Sequence, residues 1–546
     1  MAVDIEIPIG KKTLKYRLFE MLPATISYGA FILLIVLSLI NPILASVYLI
    51  LIIVTFFVKS VGIAIRIIQG HKWMEEAQKV DWHQRLLDIN NPSEALSHIN
   101  EDDKSFGYVQ HQKNLEIIAL DQGKFPNPSE IYNAVIIATY NEDYEVLEPT
   151  VRSVMNSTFD NDKIILTIAY EQRGGEAIKN TVLRLQKQFK DKFFDFILVE
   201  HPTDLPNEVI GKGGNITFAG HYLQRWLVEK NIQSKNVIVT TLDSDNRPYP
   251  SYFDYVTYEF IVREDRKHLS YQPVSLFLNN IWDAPAPMRV IAAGNSFWNI
   301  ISSMRPHTLR NFASHSQPMD ALEEMNFWST RTIVEDGHQY WRSYFHFKGD
   351  YSVLPIHVPI YQDAVLSDTF FKTLKAQFIQ LRRWSYGASD VPYVASLVLS
   401  KKRTSPLLGS LARLIRLIDG HVSLASVSIL VAVGAWVPLL VNGESARSIA
   451  AHQLPDVVST IQQVALFGLF ITIFASLKML PPRPERYKKH RTVFMVTQWV
   501  LMPFTSIAYG ALAALNAQGR LFIGKYLDKF DVTDKATYQS IAKSKK

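Results

Sequence analysis

Residues 235–245 read KNVIVTTLDSD. A run of β-branched residues that stops at two carboxylates predicts a buried strand with an acidic C-terminal end. Upstream, NAVIIATYNE predicts a first strand over 133–139, followed by a helix in YEVLEPTVRSVMNST. KIILTIAYE, 163–171, predicts a second strand, and GGEAIKNTVLRLQKQF a second helix. FFDFILVEHP gives a third strand and GNITFAGHYLQRWLVEK a third helix, which makes 235–245 the fourth strand. Such alternation predicts an α/β domain with a mostly parallel sheet covered on both faces. Ligands of such sheets bind outside the C-terminal ends of the strands. The polar residues fall there: Thr139, Asn141 and Glu142, then Glu171, then Asp243 and Asp245. No GxGxxG follows the first strand and no GxxxxGK[ST] occurs, so the dinucleotide and P-loop fingerprints are absent.

The ends of the chain differ from this middle. Residues 24–40 and 43–58 carry no charge, with Asn41-Pro42 between them, and further apolar stretches lie at 422–441, 457–477 and 492–515. Each is close to the length that crosses a hydrocarbon core. A cleaved signal would have a shorter apolar region and a small-residue cleavage site, whereas here a second apolar run follows at once. Lys11, Lys12, Lys15 and Arg17, and the basic loop PPRPERYKKHR at 481–491, are expected on the cytoplasmic side. The final apolar segment has two readings: a span that puts the tail outside, or a re-entrant turn at Pro503 that keeps the lysine-rich tail inside. LLGSLARLIRLIDG, 407–420, places Leu407, Leu411, Leu414 and Ile418 on one face, as an interfacial amphipathic helix would, and an ordinary packed helix gives the same pattern.

The expected organisation is therefore a cytoplasmic N-terminus over 1–20, a transmembrane hairpin over 21–67 and a helical lead-in over 68–130. A cytoplasmic α/β domain follows over 131–404, then an interfacial helix over 405–420. A transmembrane region of two or three spans covers 421–516, and a tail covers 517–546. The absence of cysteine excludes disulfides, thiolate metal sites and a cysteine nucleophile. The net charge of +6 sits in runs that abut apolar segments, and no aromatic-basic RNA motif occurs, which argues against nucleic-acid binding.

Three features could carry chemistry. Asp243-Ser244-Asp245 could hold a hard cation such as Mg²⁺ or Mn²⁺, although a solvated turn gives the same sequence. Glu335-Asp336 could supply a base for an acceptor hydroxyl, and acids are also favoured in any first helical turn. Gln380, Arg383 and Trp384, in QLRRW, could serve phosphate and the apolar face of a sugar ring, and Trp and Arg also anchor membrane surfaces. His338 and His346 nearby show no metal-ligand spacing and are expected in packing or polar networks. Asn280 and Trp282, in the stretch between the acidic motifs, are acceptor-side candidates.

Taken in order, Thr139-Tyr140-Asn141-Glu142, Glu171, Lys212-Gly213-Gly214-Asn215, Asp243-Ser244-Asp245, Val334-Glu335-Asp336 and Gln380 to Trp384 resemble one family. They are similar to the motifs of family 2 inverting glycosyltransferases of GT-A fold, in the branch of cellulose, hyaluronan and poly-N-acetylglucosamine synthases. The resemblance covers roughly 130–400, and Phe530 to Lys535 is similar to the family's FxVTxK gating segment. It implies a GT-A nucleotide-diphospho-sugar transferase domain with flanking transmembrane helices, a UDP-sugar donor, and Mg²⁺ or Mn²⁺. Thr139, Asn141, Glu142, Glu171, Lys212, Asn215 and Asp243 would then hold the donor, with Glu171 facing the base. Asp245, with Asp243, would bind the metal, and Asp336 would be the general base beside Glu335. Gln380 and Arg383 would serve the diphosphate, with Trp384 under the acceptor. Glu171 stands where the family usually has Asp, and Val334 replaces the Thr of its TED motif. The implied activity is transfer to a growing polysaccharide in the cell membrane, coupled to export. Single transfer to a lipid acceptor is the alternative in the same class, and a catalytically inactive membrane binding or transport protein is the alternative in another. The sugar and the oligomeric state are not encoded in these motifs.

Overall fold

Alternate residues of the first strand face opposite cores. Val135 and Ile137 join one buried cluster with Leu166, Ile168, Ile238 and Leu242, while Ala134 and Ile136 join another with Ile165, Val237 and Val239. A strand apolar on both faces needs helices on both, and the chain supplies them. In the computed structural model, which describes residues 6–98, 103–443 and 448–527, the chain starts with two long helices, α1 (Leu14–Ile40) and α2 (Pro42–Ala77). The sheet follows: β1 (Tyr132–Thr139), β2 (Ile164–Glu171), β3 (Asp195–His201) and β4 (Val237–Asp243), with helices α3 (Tyr144–Met155), α4 (Gly175–Phe189) and α5 (Lys212–Glu229) between them.

Beyond Asp245 come β5 (Arg247–Pro248), β6 (Leu269–Leu276), β7 (Ser316–Pro318) and β8 (Ser352–Tyr361). Helices α6 (Ala286–Ser303), α7 (Glu335–His346) and α8 (Phe370–Ser385) accompany them. The strands form one eight-stranded sheet in the order β3-β2-β1-β4-β7-β6-β8-β5. The half made of β1 to β4 is parallel, as the alternation predicts, and β7 joins it antiparallel. The second half was not legible from the sequence. Prolines 273, 355 and 359 break its periodicity, and the β6–β8 register slips between Pro273 and Val274. Register makes the useful ends level: Ala138 pairs with Asp243, and Thr139 with Tyr170.

Among the described residues, five helical runs are long and apolar enough to cross a membrane: α1, α2, α9 (Leu407–Val433) continued to Val441, α10 (Ile449–Met479), and 490–523. The 405–420 segment is not a separate interfacial helix. Ser405 and Pro406 precede it, and the rest is the first half of α9, with Leu414 and Leu417 packed on Tyr340, Trp341 and Val394 of the domain. Likewise α2 does not stop at the end of its apolar stretch. It runs on into the domain, where a Cβ on Gly70 would lie 2.5 Å from Ile300 of α6. The lead-in is helical, and its Trp82 stacks on Tyr255 at 3.6 Å.

The ends of these helices sort onto two faces. At one, Asn442 Nδ2 donates to Ser38 O, joining the α1–α2 turn to the connection after α9. At the other lies the α/β domain. Glu6 takes hydrogen bonds from Ser329 and pairs with the buried Arg342, and Trp282 Nε1 donates to Pro481 O. The 490–523 run begins and ends on this domain. Arg486 pairs with Asp283 before it, and Arg491 in its first turn donates to Trp282 O; after it, Leu527 N donates to Tyr386 Oη. A 3₁₀ turn at 498–501 and a π turn at 506–511 flank Pro503. The tail segment Phe530–Lys535 lies outside the described residues.

Because the chain has no cysteine, single cysteines report topology directly. In sealed membrane vesicles, an impermeant maleimide should label Gly443→Cys from one side and Lys488→Cys from the other. Lys525→Cys should label together with Lys488→Cys; labelling with Gly443→Cys would show that the last run crosses.

Candidate active site

The site begins with a glycine. Residue 213 opens α5 against the loop before α7, where a Cβ would fall 2.4 Å from Ser329 O and 3.1 Å from Glu335 Cβ. Only a bare backbone allows this approach, and it carries Lys212 to the acidic groups. Lys212 Nζ lies 2.6 Å from Asp243 Oδ1, with 9% of the lysine side chain and 35% of the aspartate exposed. Burial works against the ammonium charge, but Asp243, Glu335 and Asp336 outweigh it and hold the lysine pKa above its usual value.

Glu335 and Asp336 occupy the first turn of α7, where the helix dipole favours acids. Glu335 is buried, and burial together with repulsion from Asp336 pushes its pKa up to about 8, against the pull of Lys212. Asp336 is half-buried and accepts the Gly337 N–H at 2.7 Å. Burial raises its pKa too, with Lys212 and Arg383 among the groups that resist the shift. So Arg383, from α8, faces the same carboxylate. Beside it, Trp384 is 38% exposed and its ring lies 5.9 Å from that of Phe277, just past β6. Gln380 is held along α8 by Gln377 Nε2 at 3.0 Å.

The two aspartates of the DxD differ. Asp243 ends β4 and reaches the crevice, while Asp245 turns under and is buried. Asp363 N donates to Asp245 Oδ2 at 3.1 Å, and Asn279 Nδ2 to Asp245 O at 2.9 Å. This support from the loops after β6 and β8 has no signature in the sequence. Two carboxylates fit a hard divalent cation. No group of three His, Cys, Asp or Glu that could hold a metal occurs among the described residues. Asp243 and Asp245 could therefore hold such an ion only with oxygens from a ligand or water.

The first-strand loop is held by one of its own side chains. Glu142 Oε2 accepts from Thr139 Oγ1, Tyr140 N and Asn141 N, so Thr139 and Glu142 hold each other and fix the loop. The side chain of Asn141 is at the surface. Asn215, buried in α5, donates to Thr139 O and Ala169 O and ties the ends of β1 and β2 together. Glu171 is buried and bonded twice by Arg173, once at 2.9 Å. Sequence reasoning passed over Arg173, although its position two residues after an acid was a signal. Asn280 exchanges two hydrogen bonds with the Ala364 backbone, and Trp282 is buried and donates to Pro481 O. His338 pairs with Asp390 at 2.7 Å in the core, the polar-network role expected of it.

No family model and no curated protein matches the chain. Among solved structures, it is similar to the mannosyltransferase PcManGT from Pyrobaculum calidifontis in complex with GDP-Man and Mn²⁺. That match has 13% identity, covers 83% of this chain and 100% of the other, and has a TM-score of 0.39. It is also similar to S. aureus TarS 1-349 in complex with UDP-GlcNAc, at 11% identity, over 73% of this chain and 93% of the other, with a TM-score of 0.35. Scores this low leave the functional reading to the geometry above.

The buried Glu335 sets a pH dependence. Its folded pKa exceeds the unfolded value, so between about 4.5 and about 8 the folded state binds more protons than the unfolded chain. Stability should fall as pH rises through that window. Thermal melting of Glu335→Gln should lose several degrees less than wild type between pH 5 and pH 8; equal slopes would show that the glutamate is not buried as described.

Proposed function

We propose that the protein is a membrane-bound inverting glycosyltransferase that passes a sugar from a UDP-sugar to a growing saccharide. The observation that carries this is the convergence of Asp243, Lys212, Glu335, Asp336 and Arg383, from four separate parts of the chain, at the C-terminal edge of the parallel half of the sheet. Two cationic side chains and a base are what displacement at an anomeric carbon requires when the leaving group is a diphosphate.

In this mechanism Asp336 takes the proton from the acceptor hydroxyl, whose oxygen bonds to the anomeric carbon from the face opposite the leaving group. The bond from that carbon to the diphosphate oxygen breaks. In this reading Lys212 and Arg383 neutralise the departing charge, and Asp243 and Asp245 would hold Mg²⁺ or Mn²⁺. When bound, the ion adds positive charge at the diphosphate. Asp336 suits the base role better than Glu335, because it is more exposed and its neighbour is the one that burial keeps protonated. Trp384 offers an exposed ring for the apolar face of the acceptor sugar.

The domain is placed on the cytoplasmic face. Its side of the helices carries Lys11, Lys12, Lys15, Arg17 and the 481–491 basic loop, the bias expected of cytoplasmic segments. A base contributes about 10²–10⁴-fold to such reactions. Asp336→Asn in detergent-solubilised protein should therefore release UDP from a panel of UDP-sugars slower by about that factor, with nucleotide binding retained. An unchanged rate removes Asp336 from the mechanism. Product analysis of the wild type separates the acceptors: a ladder of oligomers supports polymerisation, and a single glycolipid replaces it with one transfer to lipid.

A further inference from the structure

The acidic pair of α7 stands at a junction. Residues 329–334 run up to it as a loop, and Glu335 starts the helix. The loop meets α5 at Gly213, as the close approach of Ser329 O and Glu335 Cβ records. It is also held from outside the domain, by the segment ahead of α1. Glu6 Oε2 accepts from Ser329 Oγ at 2.8 Å, and Ile7 O accepts from Arg331 Nη1 at 2.8 Å. The other oxygen of the same carboxylate, Glu6 Oε1, lies 2.7 Å from Arg342 Nη2. Arg342 comes seven residues after Glu335, and two turns of helix put both on one face of α7.

One carboxylate therefore joins the loop to the helix, one oxygen on each, with Glu335 and Asp336 between its two points of grip. Fixing loop against helix fixes the angle at which the first turn of α7 is presented to Lys212. The core does not depend on this contact. Arg342 also donates to the carbonyls of Met325 and Phe327 and to Gln339 Oε1, which hold its guanidinium in place by themselves. Ile7 adds an apolar contact with the cluster that contains Tyr340 and Tyr344 of the same helix.

We propose that Glu6 is a positioning residue for Asp336, which it aligns by bridging Ser329 and Arg342. This rests on the reading of Asp336 as the base of a sugar transfer, and it makes the alignment of that base depend on the segment that leads into the first apolar helix. Misplacing a reacting group by about 1 Å costs up to about a hundredfold in rate. A residue that acts only through another has no effect once the other is removed, so the two losses do not add. A general structural role predicts the opposite: the loss recurs whether or not Asp336 is present.

The test uses the full-length protein in detergent, with initial rates of UDP release across a range of UDP-sugar concentrations and calorimetric titration of UDP with Mn²⁺. Glu6→Ala should lower kcat about ten- to a hundredfold, with KM for the UDP-sugar and affinity for UDP unchanged. Glu6→Gln, which keeps the length of the side chain and one acceptor oxygen, should fall between it and wild type. In the Asp336→Asn background, Glu6→Ala should cost nothing further. If Glu6→Ala does not melt cooperatively, the same cycle is read with Glu6→Gln. Equal losses in the two backgrounds, or a wild-type kcat in both Glu6 variants, overturn the proposal while leaving the transferase reading intact. If Asp336→Asn releases UDP at the wild-type rate, or wild type releases none, the base assignment falls and this proposal falls with it.

Discussion

A lysine ammonium almost removed from water holds this site together. Burial works against the charge of Lys212, and Asp243, Glu335 and Asp336 around it outweigh that cost. Burial in turn pushes Glu335 and Asp336 toward the protonated form, and the lysine opposes that shift. A buried charge of this kind is tolerated only with its partners in place. The constraint reaches outward. Gly213 must lack a side chain so that α5 can approach α7, β4 must end level with β1 and β2, and α8 must bring Arg383 to the far side of Asp336. The sheet, three helices and a loop are all positioned by the need to balance one cluster of charge.

The same domain is continuous with the apolar helices. α2 and α9 each run from an apolar stretch directly into domain packing, through Gly70 against Ile300 in one case and Leu414 and Leu417 in the other. No flexible linker separates the two parts there. Just after the 490–523 run, Tyr526 and Leu527 pack beside Ile333 and Val334, the residues that lead into Glu335 and Asp336. Reaction site and helical base therefore share side chains.

The parallel half of the sheet was legible because both its faces are apolar and its helices are strongly amphipathic. The rest of the sheet was hidden by prolines that interrupt the strand period. Among site residues, Asp243, Lys212, Glu335, Asp336 and Arg383 were readable as motifs, and the structure brings them together. Thr139 and Glu142 were readable as polar groups at a strand end, but sequence does not say that they would bond each other. The Glu171–Arg173 pair and the backbone support of Asp245 depend on loop closures set by tertiary packing, with no periodic signal in one dimension. For 405–420, a leucine face reads the same against lipid and against protein, and only the packing of Leu414 and Leu417 decides between them.

The pairing of Glu6 with Arg342 has a consequence in time. The partners are separated by most of the soluble domain, so a ribosome makes the acid long before the arginine that needs it. The first long helices emerge early, and the segment preceding them must wait until β7 and the loop after it have folded. Arg342 is buried with carbonyls of Met325 and Phe327 around it, so Glu6 can reach its partner only once that part of the domain exists. Assembly of this protein thus closes a long loop: an acid ahead of the first apolar helix is made well before the arginine that pairs with it.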